Sequence, residues 1–166
     1  MKYFLGSICF VMLLSCSPAA TPSSSRSTPA PASATEPAGN MEEDILKYIN
    51  DYRRSKGLGG LQMIDAASQQ AAQHSRNMAS GRTAFSHDGF EQRIANIKKA
   101  MGADYMAAAA ENVALGQLSA REVVNGWLKS AGHKKNIEGN YNLTGVGVAR
   151  NSKGVMYYTQ IFLRRN

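Results

Sequence analysis

Cysteine is nearly missing from this 166-residue chain: the only two, Cys9 and Cys16, both fall within the first sixteen residues. A folded part beyond them has no thiol pair for a disulfide and no thiolate for a metal, so it must rest on an apolar core. Long hydrophobic runs are also lacking. The one apolar stretch, Tyr3 to Leu14, is too short to span a bilayer as a helix. Proline is confined to the segment from Pro18 to Pro37, which holds all five. Negative charge is in short supply, leaving a formal net charge of +7 that falls by one if Lys2 is removed with a leader. The basic residues are scattered (Arg53, Arg54, Lys56; Lys98, Lys99; Lys134, Lys135; Arg164, Arg165) and no aromatics interleave with them to stack bases. They read as a solvated surface, and nucleic acid is not an expected partner.

What is present divides the chain. Residues 1–16, MKYFLGSICFVMLLSC, have the basic start and short apolar run of an export signal. Leu13-Leu14-Ser15-Cys16 resembles a bacterial lipobox, which implies cleavage before Cys16 and its lipidation. Several acyl chains would anchor the protein strongly, each buried methylene contributing about 0.8 kcal/mol. Residues 17–40, rich in Pro, Ser, Ala and Thr, cannot bury enough surface to order themselves. They read as a disordered tether reaching about 27 Å if flexible and about 75 Å if extended.

Residues 41–166 carry the pattern of one folded domain. Asn40 with Glu43 suggests a capping box for a helix bearing Ile45, Tyr48, Ile49 and Tyr52, ending in basic residues and Gly57. A second helix starts near Asp65, buries Ala67, Ala71, Ser75 and Met78, and stops at Gly81. A third is marked by Asp88 with Glu91, then Phe90, Ile94, Ile97 and Met101. A fourth, capped by Ser119 with Glu122, buries Val123, Val124, Trp127 and Leu128 and stops at Gly132. Beyond Gly132 the period changes to two. LTGVGVAR and VMYYTQIFLR flank NSKG as a hairpin whose two faces are both apolar enough to be covered, which places the sheet between helical layers.

The candidate chemistry lies in three histidines and one carboxylate. Glu111, set among alanines and valine, needs a partner because an unpaired buried charge is costly, and His87 and His133 are the candidates. Two imidazoles and a carboxylate suit zinc with an open position for water. No local metal motif supports that choice. His133 follows the expected helix end at Gly132, where a positive charge suits the dipole, but Lys134 and Lys135 could serve as well. His74, mid-helix, reads as a surface or boundary residue and is left out of the site. Trp127 and Tyr158 read as core. Gly145 and Gly147 read as turn and close-packing positions.

FSHDGFEQR, AENVALG, WLKSAGHKKNI and YYTQIF, in that order, resemble the bacterial branch of the CAP superfamily (cysteine-rich secretory proteins, antigen 5 and pathogenesis-related 1 proteins), also called the SCP domain. The resemblance covers Ile45 to Leu163. It implies an α+β fold, a three-layer α-β-α sandwich, with a cleft lined by two histidines and two acidic residues and associated with metal ions. By position His87 and Glu111 carry over, while Ser130 and Tyr157 stand where the eukaryotic pattern has a glutamate and a histidine. His133 is then expected to enter the cleft, with Asn136 in support. Sterol or lipid binding, protein interaction and, in a few cases, proteolysis are linked to the superfamily, and no single activity follows from the fold.

The resulting expectation is an exported, membrane-tethered domain of the cell envelope. Its cleft would bind a small hydrophobic ligand, a peptide or an envelope polymer, with a divalent metal such as zinc at His87, Glu111 and His133. Ser130, Asn136 and Tyr157 would line it. One alternative is a hydrolase using a metal or a histidine, with Glu111 as general base; another is a structural or interaction module with no small ligand. No residue is assigned as catalytic.

Overall fold

The computed structural model describes residues 40–102 and 106–165. The export signal, the lipidation at Cys16 and the tether up to Gly39 lie outside the described residues.

Four strands form one sheet in the order β1-β3-β4-β2, from β1 (Gln62–Met63), β2 (Met106–Leu115), β3 (Leu143–Arg150) and β4 (Met156–Arg165). β3 and β4 are the expected hairpin, with Val146 opposite Gln160 and Arg150 opposite Met156. β1 joins β3 in parallel, and β2 joins β4 antiparallel with Glu111 opposite Ile161. β2 therefore forms one edge of the sheet.

Because side chains alternate along a strand, β4 feeds two cores. Ile161 and Leu163 pack with Ala67 and Ala71 of α2 (Asp65–Ala79) and with Ile94 and Ile97 of α3 (Phe90–Met101). Tyr158 and Phe162 pack on the other face with Ile45 and Ile49 of α1 (Met41–Ser55) and with Val123, Val124 and Trp127 of α4 (Ala120–Lys129). The sheet thus lies between helical layers, an α-β-α sandwich.

The helix starts follow the local chemistry. Asn40 caps α1, accepting from the Glu42 amide at 3.2 Å rather than from that of Glu43. Ser119 caps α4, accepting from the Glu122 amide at 3.2 Å, while the Glu122 carboxylate accepts from the amide of Leu118 at 2.8 Å. The third helix departs from expectation: Gly89, at φ +76°, holds the cap position expected for Asp88 and contributes no side-chain cap.

The largest departure is at the end of α4. That helix stops at Lys129, Ser130 is extended, and residues expected to begin the sheet region form α5 (Ala131–Ile137). Gly132 is inside this helix, and His133 is in its first turn. The dipole argument for His133 therefore reverses, since a helix N-terminus disfavours a cation. Arg53 explains why so short a helix holds. Expected on a solvated surface, it is instead buried, and its guanidinium donates to the carbonyls of Ile137 at 2.6 Å, Gly139 at 2.9 Å and Tyr141 at 3.1 Å. These bonds tie the C-terminal end of α5 to the last turn of α1.

Candidate functional site

Glu111 points from β2 into the α2–α3 side of the sheet, since it shares a face with Ile161. Its carboxylate is almost wholly buried, and its main partner is Arg93 of α3, which the sequence reading did not assign. Arg93 Nε donates to Oε2 at 2.8 Å and Nη2 donates to Oε1 at 2.7 Å, a two-point clamp. His87 is the second partner. Its Nδ1 lies 2.9 Å from Oε1, and because a carboxylate only accepts, Nδ1 carries the proton. A neutral His87 then presents Nε2 as an acceptor on a side chain that is 54% exposed.

Arg93 also fixes what surrounds it. Nη1 donates to the Asp88 carbonyl at 2.8 Å and lies 3.2 Å from His74 Nδ1, while Nη2 donates to the His87 carbonyl at 3.3 Å. A guanidinium cannot accept, so His74 Nδ1 is an acceptor and its Nε2 carries the proton donated to the Ser86 carbonyl at 2.9 Å. His74 is therefore a buried structural member of the site, not the surface residue expected. Burial is the main cause that lowers its pKa, and the Arg93 charge adds to that, while the bond to Ser86 opposes it. Arg93 carried a legible signal: it falls on the same helical stripe as Phe90, Ile94 and Ile97, where a lone arginine must find buried acceptors.

On the other side of the β2 edge, α5 supplies His133 and Asn136. Asn136 Nδ2 donates to the Glu111 carbonyl at 3.2 Å and to Asn112 Oδ1 at 2.9 Å, and Asn112 Nδ2 donates to the His133 carbonyl at 3.1 Å. Asn136 thus fixes α5 to β2 rather than lining the cleft. His133 makes no hydrogen bond to Glu111 among the described residues, yet it is near enough for His87 to act on it. Burial first, and then the repulsion from His87 when that ring carries a second proton, lower its pKa.

His133 and Ser130 line a groove of about 300 Å³ with Phe85, Leu115, Val123 and Trp127. Trp127 Nε1 donates to the Val113 carbonyl at 3.3 Å, so the groove follows the outer edge of β2. Tyr157 is not among its lining residues; it is opposite Leu115 and Ala149 in the sheet and is half-buried.

The expected metal set does not assemble. Among the described residues no group of three or more His, Cys, Asp or Glu side chains could hold a metal ion. Arg93 occupies both oxygens of Glu111 and sets a fixed positive charge where a cation would have to sit. The chemistry on offer is that of a neutralised Arg93–Glu111–His87 network beside an apolar groove.

Residues 46–162 match the model of the CAP family, described as the cysteine-rich secretory protein family. The chain belongs to the CAP family. This CAP domain is 32% identical over 143 residues to the uncharacterized protein YkwD of Bacillus subtilis (strain 168), covering 86% of the chain and 54% of that relative. The chain therefore spans about half the length of that relative, and about a third (34%) of the uncharacterized membrane protein YlbC from the same organism, to which it is 32% identical over 127 residues. Among solved structures it resembles an outer surface protein from Borrelia burgdorferi, with a TM-score of 0.64 at 20% identity, covering 77% of this chain and 97% of that one. It also resembles an extracellular protein containing an SCP domain from Bacillus anthracis str. Ames, with a TM-score of 0.61 at 28% identity, covering 74% and 40% of the two chains. The first of these likenesses shows the fold alone.

Proposed function

We propose that this CAP domain is an exported binding module, held to a membrane through lipidated Cys16, whose groove beside His133 takes a small amphiphilic ligand without a metal. The observation that carries this reading is where the exposed apolar side chains gather. Phe85 and Leu115, two of the three large hydrophobics exposed among the described residues, line the same groove, and the third, Leu118, follows the groove residue Gln117. A cluster of that kind marks an interaction site. His133, Ser130 and Gln117 supply the polar end. Export and tethering are supported by the leader, by the Pro- and Ser-rich residues 17–40, and by similar proteins named for an outer surface or an extracellular location.

Trp127 is the single tryptophan of the chain and lines the groove, so its emission is the readout. Adding decanoate below its micelle concentration is expected to shift that emission in a saturable way, and Leu115→Asp is expected to abolish the shift. An unchanged emission, or a shift that survives Leu115→Asp, rules the reading out. Tethering is tested separately by feeding cells an alkyne-tagged fatty acid: label is expected on the chain and lost in Cys16→Ser.

A second reading rests on one geometric fact. Glu111 accepts from His87 Nδ1 and the side chain is 54% exposed, so Nε2 is the ring nitrogen left to act as a general base. In a hydrolase that role falls to His87 rather than to Glu111, whose oxygens already accept three hydrogen bonds. Cleavage of a generic peptide or ester panel that disappears in His87→Ala would favour it; cleavage unchanged by that substitution would remove it.

A further inference from the structure

Away from this site, the C-terminal end of α2 and the turn between β3 and β4 enclose an open groove of about 600 Å³. Among the described residues three arginines line it, Arg76, Arg82 and Arg150, and no carboxylate does. Among the described residues none of the three pairs with an acidic side chain; the ion pairs formed involve other residues. Among the described residues Arg76 donates to Gln73 Oε1, at 2.9 Å, and Arg150 uses Nε towards Met156 Sδ at 3.2 Å, leaving its two terminal nitrogens without a side-chain partner there.

These charges are not consumed in finishing the helix. The last carbonyls of α2 accept from backbone amides: Arg76 from Ser80 at 3.0 Å, Met78 from Gly81 at 3.1 Å and Asn77 from Arg82 at 2.9 Å. Three guanidiniums in one groove repel each other, and among the described residues lining it no carboxylate offsets them. Guanidinium forks match the oxygens of phosphate in pairs, and Asn151 and Ser152 also line the groove with neutral polar side chains. One carboxylate would neutralise only one of the three, so a group with two or more negative charges fits better.

We propose that this groove is a binding site for a phosphate ester or diphosphate, carried either by a lipid headgroup or by a soluble molecule. It is separate from the groove at His133 and does not depend on what that groove binds.

The test is calorimetric titration of the full chain with inorganic pyrophosphate at fixed ionic strength. Saturable binding is expected, weakened about tenfold by either Arg82→Gln or Arg150→Gln, since each removes a hydrogen-bonded charge pair. Arg121→Gln, which removes the same charge from α4, is expected to leave it unchanged. No saturable binding, or equal weakening by Arg121→Gln, overturns the proposal. The source of the phosphate is read from phosphatidylcholine vesicles with and without phosphatidic acid. Capture that requires phosphatidic acid and is released by pyrophosphate identifies a lipid headgroup; pyrophosphate binding without such capture identifies a soluble ester.

Discussion

A guanidinium has five N–H donors, and in Arg93 each finds an acceptor: two on Glu111, one on His74, and one on each of the Asp88 and His87 carbonyls. One side chain of α3 thereby joins α2, the loop before α3, and β2. An ammonium has three donors and no fork, so Arg93→Lys cannot reproduce the arrangement. Arg93→Met goes further and leaves a buried carboxylate without its cation, which is expected to cost about 3–5 kcal/mol in urea unfolding. Adding Glu111→Gln removes the stranded charge and should return much of that loss. If the double variant is no more stable than Arg93→Met alone, Arg93 contributes through packing and not through its charge. The same clamp predicts that zinc titrated into the wild-type chain shows no binding that His87→Ala and His133→Ala both weaken.

Elements are set against each other by contacts of equal specificity. β3 meets α2 backbone to backbone: a methyl group added at Gly147 would lie 2.1 Å from the amide nitrogen of Ala72, and one at Gly145 would lie 2.2 Å from the carbonyl carbon of Ala67. No rotamer change relieves a clash with backbone, so Gly147→Ala is expected to lose about 3 kcal/mol or more, measured by thermal or urea unfolding. Loss of less than about 1 kcal/mol would mean that the helix can ride up from the sheet. α5 depends on Arg53 in the same way. Arg53→Met removes the donors to Ile137, Gly139 and Tyr141, and amide exchange over residues 134–138 is expected to quicken well beyond that of α4. The elements legible in the sequence are those whose apolar spacing reflects a buried face. α1 and α4 show it at 3.6 residues and the hairpin at two. β2 shows no alternation, because its alanines look alike on either face and it forms the edge of the sheet. α5 offers only Ile137 as a buried anchor, and it is tied down by Arg53, 84 positions away, and by Asn112 and Asn136 across to β2. His87 and Glu111 could be paired from sequence because each was conspicuous in its local setting. The place of His74 could not, since its partners arrive from Ser86 and Arg93 only after α2, the loop and α3 have docked.

Over the whole molecule, the candidate site straddles the free edge of β2, with His74, His87 and Arg93 from one helical layer and its loop, and His133 and Asn136 from the other. Its integrity therefore reports on the docking of both layers, and acid should loosen it. His74 is enclosed by the Arg93 guanidinium, the Glu111 carboxylate and the His87 ring, and its Nδ1 already accepts from Arg93. A proton there would set a donor against a donor. His133, lowered by burial and by His87, resists protonation in the same direction. The unfolded chain has no such resistance, and its imidazoles titrate near 6.5. As pH falls through that value, the unfolded state takes up protons that the folded state does not, so stability is full above about pH 7 and is lost progressively below it, down to the lowered folded values. The melting temperature is expected to drop between about pH 7 and about pH 5, and to drop less steeply in His74→Gln, which has no proton to gain at that position. His74→Gln starts from a lower melting temperature at neutral pH, because its bonds to Ser86 and Arg93 are altered, so the slope with pH and not the absolute value is the measure. A slope equal to that of the wild type would move the acid sensitivity from His74 to His133, and His133→Gln would then have to flatten it.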